Sequence, residues 1–159
     1  MSKRAKPFSI QHPVIFLDID GVLNGTGRPD GHRTVHADCV FQFNRLLAAS
    51  SAKVVISSIW RYMVHEGVMT VVGFRHMLAS HGVRGCDVIG VTAKDEEVQG
   101  RGAQIENWRK RHRVKRYVVL DDVDLEITSN RHPLVKTDAS VGLTVSNVED
   151  ALHLLNSQP

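Results

Sequence analysis

The sequence predicts an α/β fold in which a mostly parallel, five-stranded sheet lies between two helical layers, forming a three-layer sandwich. Short apolar runs recur along the 159-residue chain, and stretches with the apolar spacing of helices separate them. Such an alternation implies right-handed crossovers between parallel strands. The length is that of one ordinary domain. We expect this domain to span residues 13–156, after a basic N-terminal tail at residues 1–12.

Five segments are expected to form the strands. The first four are short runs that are apolar apart from Gly90, as is typical of strands buried on both faces, and the fifth is weaker. They lie at residues 14–17, 54–56, 88–91, 117–120 and 134–135.

Four helices are expected between and after these strands. The first has Asp38 as its N-cap, and the second runs from about Glu66 and ends before Gly82. The third starts near Gly102, with apolar residues at helical spacing after it. The last is the best defined, because residues 146–149 have the form of a capping box.

Positive charge is concentrated in two parts of the chain. The chain has 20 Lys and Arg against 17 Asp and Glu; six of the basic residues lie between positions 109 and 116, and Lys3, Arg4 and Lys6 form a basic tail. A solvated helix end is the simpler interpretation of the run, and attraction of a polyanion is the alternative. Only 6% of the residues are aromatic, so the run does not establish nucleic-acid binding.

Other features of the sequence argue against a membrane protein, a secreted protein and a zinc or disulfide site. No stretch approaches the run of about 18 apolar residues that a membrane helix needs, and no apolar segment of a signal peptide follows the first residues. We therefore expect a cytoplasmic protein with no membrane contact. Cys39 and Cys86 stand apart, outside any zinc-type or disulfide spacing, and are interpreted as small core or surface residues.

Polar side chains follow three of the expected strands at the points where the strands end. They are Asp18, Asp20 and Gly21 after the first strand, Ser57 and Ser58 after the second, and Asp121 and Asp122 after the fourth. Because the carboxyl ends of parallel strands meet at one edge of a sheet, we expect these groups to converge. Four uncompensated carboxylates would repel one another. A hard divalent cation relieves this repulsion, and an oxygen-only ligand set favours Mg²⁺.

The spacing within the first group supports a shared site. Asp18 and Asp20 lie on the same side of the chain because Ile19 points the other way. Gly21 allows an immediate turn and lets backbone N–H groups face a ligand. A single Asp would be better explained as a solvated turn residue, but the recurrence after three strands favours a site. Mg²⁺ beside a carboxylate then predicts phosphoryl chemistry, with the carboxylate as nucleophile.

Three segments carry a resemblance to a known superfamily. Residues 16–24, Phe-Leu-Asp-Ile-Asp-Gly-Val-Leu-Asn, resemble the first motif of the haloacid dehalogenase (HAD) superfamily, whose members are mostly Mg²⁺-dependent phosphatases with an aspartyl-phosphate intermediate. Residues 54–57 and 118–122 resemble its second and fourth motifs. Residues 57–61, 100–105 and 138–144 also resemble the small subgroup found alone or fused in bacterial and phage RNA-repair proteins. The resemblance runs from about Val14 to Leu155 and implies a Rossmann-like HAD core.

The resemblance implies roles for the residues after the first two strands. Asp18 would be the nucleophile and a metal ligand. Asp20 would protonate the leaving oxygen and later deprotonate water, with its backbone carbonyl on the metal. Ser57 would donate a hydrogen bond to a phosphoryl oxygen, a role for which Ser58 is the weaker candidate. Gly21 would help to bind the substrate.

The resemblance leaves other assignments open. Asp122 is the preferred remaining metal carboxylate, with Asp121 either a ligand or a support. The superfamily usually has a Lys in its third motif, and here Arg101 is the best-placed residue, with Lys94 as its rival; Arg is not an equivalent substitute for Lys at a tight site. Arg61 is expected either to contact a substrate phosphate or base or to pair with a surface carboxylate.

The intervals between the motifs bear on the substrate. Larger HAD proteins insert a cap domain, but here residues 25–37 are only a loop and the later interval holds little beyond one helix and one strand. An open site suits a bulky substrate, so phosphorylated nucleic-acid termini, at either the 3′ or the 5′ end, are the expected substrate. A small-metabolite phosphatase, a phosphotransferase and a non-catalytic nucleic-acid-binding module are the alternatives. A response-regulator receiver domain is disfavoured, because its acidic pair follows the first strand and not the fourth.

Overall fold

The computed structural model describes residues 9–30 and 34–159. The basic positions 3, 4 and 6 therefore lie outside the described residues, and the expected division between tail and domain at residues 12 and 13 stays a prediction. Within this range the chain forms one five-stranded sheet in the order β3-β2-β1-β4-β5, and every pair of neighbours is parallel. The strands are β1 Val14–Leu17, β2 Lys53–Ile56, β3 Val88–Val91, β4 Tyr117–Asp121 and β5 Leu134–Lys136. The predicted fold class is confirmed.

Within residues 9–30 and 34–159, five helices connect or follow the strands. They are α1 Ala37–Ser50, α2 Tyr62–His65, α3 Val71–Ser80, α4 Arg101–Arg111 and α5 Val145–Asn156. A 3-10 turn, Ile59–Arg61, precedes α2. The 3-10 turn and α2 were not expected from the sequence, because each is too short for an apolar period to be visible.

The two faces of the sheet pack against different helices. Along β1, Ile15 and Leu17 face a core that includes the inner sides of α1, α3 and α5. Val14 and Phe16 face the opposite way, against Ile105 and Trp108 of α4 and neighbouring residues. Side chains alternate between the faces of a strand, so a fully apolar strand such as β1 is one that is covered on both sides. The sheet therefore lies between two layers, as predicted.

The predicted starts of the first two helices were wrong. Asp38 is not the N-cap of α1, since His36 holds that position and Asp38 lies in the first turn, paired with Arg28 through two 2.6 Å contacts. The second helix does not begin at Glu66. Gly67 has a φ of 72°, which ends α2, and Thr70 caps α3 by accepting a hydrogen bond from the Gly73 N–H.

The capping box of α5 lies two residues before the predicted one. The Oγ1 of Thr144 accepts from the backbone N–H of Asn147, and the Oδ1 of Asn147 accepts from the backbone N–H of Thr144. The predicted box began at Ser146. Asn at the third helical position fulfils the reciprocal role that was expected of Glu149, because its side chain also carries an acceptor oxygen.

Three further observations concern membrane-spanning helices, the two cysteines and the intervals in which a cap domain could lie. Among the described residues, no helix combines the length and the apolar character needed to cross a bilayer. Cys39 and Cys86 are both buried, free thiols. Within the described part of 18–36 there is no helix or strand, and residues 57–87 hold only the 3-10 turn, α2 and α3. These intervals contain no cap domain in the described residues.

The basic run lies at the end of the sheet away from the predicted site. Helix α4 starts at Arg101 and ends at Arg111, so its two ends are about 15 Å apart at 1.5 Å per residue. The run begins on the last turn of α4 and continues to the start of β4, whereas the acidic residues lie at the end of β4. Within the run, Arg109 and Lys110 both contact Glu106 on the same helix.

Candidate active site

The sheet places Asp18 in the middle of its carboxyl edge. β1 is the central strand, and its hydrogen bonding continues beyond Leu17, with the N–H of Asp18 donating to Leu120 O at 2.9 Å and the N–H of Ser57 donating to Leu17 O at 3.0 Å. The ends of β2 and β4 therefore flank Asp18 on either side. Asp121 is the last residue of β4, not the first after it as predicted. Of the four carboxylates expected to converge, those of Asp18, Asp121 and Asp122 meet at this edge, whereas Asp20 does not join them.

Three carboxylates form a compact cluster at this edge. One oxygen each from Asp18, Asp121 and Asp122 can be chosen so that all three lie within 4.8 Å of one another. Burial, and then the charge of Asp121, raise the pKa of Asp18 to about 7, although Arg101 opposes the shift. Burial also raises the pKa of Asp121 above its usual range. The buried charges are thus only partly compensated by protein groups.

Arg101 is the cation that contacts this cluster. Its Nη1 lies 2.5 Å from Asp121 Oδ2 and 3.4 Å from Asp18 Oδ2. Burial lowers the pKa of Arg101, but the charges of Asp121 and Asp18 outweigh burial and leave the pKa above its ordinary value. Lys94, the rival from the sequence, makes no ion pair with any described residue. Between the two, only Arg101 contacts the nucleophile candidate.

The local chain conformation explains why Arg101 reaches the cluster. Gly100 has a φ of 89°, which turns the chain into α4 so that Arg101 is its first residue. A side chain at the N-terminus of a helix points back beyond the helix end, in this case toward the carboxyl edge of the sheet. The predicted start of α4 near Gly102 differs from the observed start by one residue.

Asp121 and Asp122 differ in their surroundings. Asp121 is fully buried, with Oδ2 on Arg101 and Oδ1 accepting from the Val123 N–H at 3.0 Å. Asp122 accepts no hydrogen bond from the described residues and lies against Gly21. Its oxygens therefore have fewer protein partners than those of Asp121, and its place as the preferred metal carboxylate stays a prediction.

Gly21 is required by both conformation and space. Its φ is 80°, and a Cβ built on it would lie 2.6 Å from Asp122 Cγ. Its carbonyl accepts from Thr137 Oγ1 at 2.6 Å, and its N–H donates to Asn24 Oδ1 at 2.8 Å. This loop therefore packs directly against Asp122 and sets the position of its carboxylate.

Gly21→Ala is expected to disturb the acidic cluster. The added Cβ would displace Asp122, and loss of such support typically lowers metal affinity by about 10- to 100-fold. Gly67→Ala is the matched control, because Gly67 also has a positive φ, 72°, but has nothing within 4 Å of its Cβ position. Both variants carry the backbone cost of roughly 1–2 kcal/mol, measurable by chemical denaturation. Equal Mg²⁺ affinity in the two variants, measured by calorimetric titration, would contradict this account of Gly21.

Asp20 is held apart from the cluster by two neutral donors. Asn24 Nδ2 donates to Asp20 Oδ1 at 3.0 Å, and Trp60 Nε1 donates to Asp20 Oδ2 at 3.0 Å. Neither donor was expected from the sequence to have a role. The position of Asn24, four residues after Asp20, could have indicated the first contact, whereas Trp60 is 40 residues away and nothing in the sequence pairs it with Asp20.

The two serines after β2 have different environments. Ser57 is fully buried, and its Oγ has no hydrogen-bond partner among the residues that the structure describes. An unpaired buried hydroxyl is costly, and a phosphoryl oxygen would supply the missing acceptor. Ser58 has a partner within the protein, since its Oγ accepts from the Trp60 N–H at 3.3 Å. The nearby Ser58 side chain also opposes the rise in the pKa of the Asp18 carboxyl.

The guanidinium group of Arg61 contacts other groups of the protein. Its Nε donates to Ala93 O at 3.0 Å, Nη1 donates to Ser58 O at 3.1 Å, and Nη2 lies 3.2 Å from Asp95 Oδ1. The carboxylate of Asp95 is largely exposed, so the alternative of a pairing with a surface carboxylate is the one observed. Arg61 is itself buried, and its contacts join the 3-10 turn to the chain after β3.

A cleft of about 560 Å³ opens beside Arg101. Ile59 and Leu125, both exposed, contribute apolar surface to its walls. Among the residues that line it, the two cations, Arg61 and Arg101, are each paired with carboxylates. The cleft therefore offers apolar contacts next to the acidic cluster but no unpaired cation from its lining residues.

The donor set fits a hard divalent cation. The cluster contains only carboxylate oxygens, with no His or Cys among its members, and its negative charges exceed the single positive charge of Arg101. Mg²⁺ prefers oxygen ligands and is usually bound through one or two carboxylates. The carboxylates of Asp18 and Asp122 would hold such an ion, with Asp121 as a further ligand or a support.

One comparison with known proteins assigns a family. The model of the family described as "HAD domain in Swiss Army Knife RNA repair proteins" matches residues 14–148, which is most of the chain. The chain belongs to this family. The HAD assignment implies activity of the phosphohydrolase type, and HAD proteins generally use Mg²⁺. Searches among curated proteins and among solved structures found no match to this HAD domain.

Proposed function

We propose that this HAD domain is a Mg²⁺-dependent phosphomonoesterase that forms an aspartyl-phosphate on Asp18 and acts on phosphorylated nucleic-acid termini, at the 3′ or the 5′ end. The observation that carries the proposal is the contact of Arg101 with Asp18 inside a cluster of three carboxylates. A nucleophile that attacks phosphorus needs a buried carboxylate with two kinds of neighbour: a cationic side chain and carboxylates that can bind a metal ion.

In the first step, a carboxylate oxygen of Asp18 attacks phosphorus. The bond between phosphorus and the leaving oxygen breaks, its electron pair stays on that oxygen, and Asp20 donates a proton to it. The products are the free alcohol and an acyl phosphate on Asp18. Arg101 compensates the negative charge of the phosphoryl group, and the unpaired Oγ of Ser57 donates to one of its oxygens.

In the second step, Asp20, now ionised, accepts a proton from water while the water oxygen attacks phosphorus. The bond between phosphorus and the Asp18 oxygen breaks, which releases inorganic phosphate and restores the Asp18 carboxylate. A bound Mg²⁺ would neutralise charge on the phosphate. Asp18 thus stays ionised as the nucleophile, while Asp20 gives up a proton and later regains one. Two carboxylates can divide these roles when their environments differ.

The substrate assignment rests on the openness of the site. The intervals where larger HAD proteins carry caps contain no additional domain among the described residues, so a long substrate would have access. The cleft with Ile59 and Leu125 offers apolar surface for a base or sugar beside the phosphate. The cytoplasmic location expected from the sequence stays a prediction.

A small phosphomonoester is the second candidate substrate, and the position of the basic run favours it. That run lies at the far end of α4 from Arg101, so a short substrate in the cleft would not contact it. A polynucleotide would have to extend along about 15 Å of helix to contact both regions.

A substrate panel tests the proposed function. It would compare 3′- and 5′-phosphorylated RNA and DNA oligonucleotides with nucleoside monophosphates and sugar phosphates, each with Mg²⁺ and with EDTA. We expect Mg²⁺-dependent phosphate release, with a higher kcat/KM for the oligonucleotides. Equal values for the mononucleotides would favour the second candidate. Absence of release from every ester would contradict a phosphatase and favour a binding module.

Mg²⁺ is expected to stabilise the fold. At 100 times its Kd, a ligand that binds only the folded state adds about 2.7 kcal/mol, which for a chain of this size raises Tm by roughly 5–10 °C. Asp122→Asn should remove most of this shift, whereas the matched control Asp150→Asn, at an exposed position on α5, should keep it. Scanning calorimetry at several Mg²⁺ concentrations measures both. An unchanged shift in Asp122→Asn would contradict the assignment of Asp122.

A further inference from the structure

Asp20 is oriented by protein groups on both of its oxygens. Asn24 donates to Oδ1 and Trp60 donates to Oδ2, each at 3.0 Å. Asn24 belongs to the same tight loop, because its Oδ1 also accepts the Gly21 N–H. Trp60 belongs to a different part of the chain, after β2. Neither donor is charged, so the two contacts fix the direction of the carboxylate without placing a counterion beside it.

Trp60 is itself held firmly. It lies within the 3-10 turn, and its backbone N–H donates to Ser58 Oγ at 3.3 Å. Its ring packs edge to face against the fully buried Phe74, with 6.5 Å between centroids. Arg61, the next residue, joins the turn to Ala93 and Asp95. An indole fixed at its ring and its backbone has few other rotamers available, so it defines where Asp20 Oδ2 lies.

Ser58, the N-cap of the same 3-10 turn, lies next to Asp18, the candidate nucleophile. The chain at Ser58 runs beside Asp18, because the Ser57 N–H donates to Leu17 O. Trp60 hydrogen-bonds Asp20. A three-residue segment thus adjoins both carboxylates that the two steps require. A displacement of the turn would change the position of Asp20 relative to Asp18.

We propose that Trp60 is a positioning residue for Asp20, holding its carboxyl group where it protonates the leaving oxygen. This inference rests on the proposed function. It concerns only the first step, in which the bond from phosphorus to the leaving oxygen breaks and the proton of Asp20 passes to that oxygen. Loss of the indole N–H leaves Asp18 and its other partners in place and removes one of the two contacts that orient Asp20.

The inference predicts a dependence on the leaving group. An alkoxide, such as the ribose oxygen of a nucleotide, is a poor leaving group and needs the proton as the bond breaks. Nitrophenolate is stable as an anion and leaves without it. Impaired protonation therefore slows alkyl esters more than aryl esters, whereas a general disturbance of the fold would slow both equally.

The test compares Trp60→Phe with Trp108→Phe. Phe at position 60 keeps an aromatic ring near Phe74 but has no N–H, and Trp108 is the other Trp of the chain, packed on the opposite face of the sheet. General acid catalysis contributes about 10²–10⁴-fold. Because kcat/KM reports only the steps up to formation of the aspartyl-phosphate, whereas kcat also contains the second step, we expect kcat/KM for a nucleoside monophosphate to fall about 10- to 100-fold in Trp60→Phe. For p-nitrophenyl phosphate the fall should be within about 3-fold, and Trp108→Phe should show no difference between the two esters.

An NMR measurement tests the hydrogen bond between Trp60 and Asp20 without requiring catalytic activity. The chain has two Trp residues, so a ¹⁵N–¹H spectrum of the protein contains two indole signals, and Trp60→Phe identifies one of them. Asp20→Ala should move the Trp60 signal and leave that of Trp108 in place.

The outcomes separate the inference from the proposed function. An unmoved Trp60 signal, or an equal loss of kcat/KM for both esters in Trp60→Phe, would overturn the positioning role. Wild-type protein without activity on either ester would contradict the proposed function, and the indole signal would then decide the Trp60 contact by itself. A loss confined to the alkyl ester, together with the shifted signal, would support both.

Discussion

Asp18→Asn is expected to abolish phosphate release, with kcat falling by about 10⁴- to 10⁶-fold, the range seen when the nucleophile of a covalent mechanism is removed. The amide has nearly the shape of the carboxylate but cannot attack phosphorus. The fold should be retained, because the substitution removes one of three clustered negative charges and not an apolar contact.

Steady-state kinetics on the best ester of the panel, at saturating Mg²⁺, measure the loss for Asp18→Asn. Asp150→Asn makes the same chemical change at an exposed position on α5 and should leave kcat within about 2-fold of the wild type, as is usual for surface substitutions. Circular dichroism shows whether both variants are folded. A folded Asp18→Asn protein that keeps a tenth of the wild-type kcat would exclude Asp18 as the nucleophile.

Arg101→Ala is expected to have the second largest effect. Arg101 lies 2.5 Å from Asp121 and 3.4 Å from Asp18, and removal of one group that compensates transition-state charge typically costs about 10²–10³-fold in kcat. Arg101→Lys should recover part of the loss, because the charge is retained but the planar fork is not. Without Mg²⁺, the Ala variant should also be less stable, since Asp121 would remain buried without its cation.

The controls for Arg101 also decide between it and Lys94. Arg111→Ala changes the last residue of the same helix, at an exposed position, and should leave kcat unchanged. Lys94→Ala should lower kcat by less than about 3-fold, within the range of a surface substitution. A large loss in Lys94→Ala together with a small one in Arg101→Ala would reverse the assignment, because it would show that Lys94 approaches the phosphate during turnover.

Much of the scaffold was predictable because its signals are local. Each strand is a short apolar run, and Asp18 and Asp121 follow directly from where β1 and β4 end. A parallel sheet brings strand ends to one edge whatever the details of the connections. The convergence of Asp18, Asp121 and Asp122 therefore needed only the strand positions, and the preference for Arg101 needed the resemblance to the third motif together with a helix expected to start near Gly102.

The details that were missed depend on contacts between distant segments. Trp60 and Asp20 are 40 residues apart and meet only because β2 lies beside β1. The sequence left the partner of Arg61 open between a substrate and a surface carboxylate, and burial with three protein partners decides it. The start of α3 was misplaced because Val68 fits the apolar spacing of a helix but is 71% exposed. In each case packing outweighed the local pattern.

The formation of an acyl phosphate on Asp18 is the central claim, and chemical trapping measures it most directly. Wild-type protein would be quenched during turnover with Mg²⁺ and treated with borohydride, which reduces an aspartyl-phosphate to homoserine, and its peptides would be analysed by mass spectrometry. We expect homoserine at position 18, only when substrate is present, and none in Asp18→Asn. Unmodified Asp18 in a sample that releases phosphate, or homoserine at another aspartate, would contradict the account.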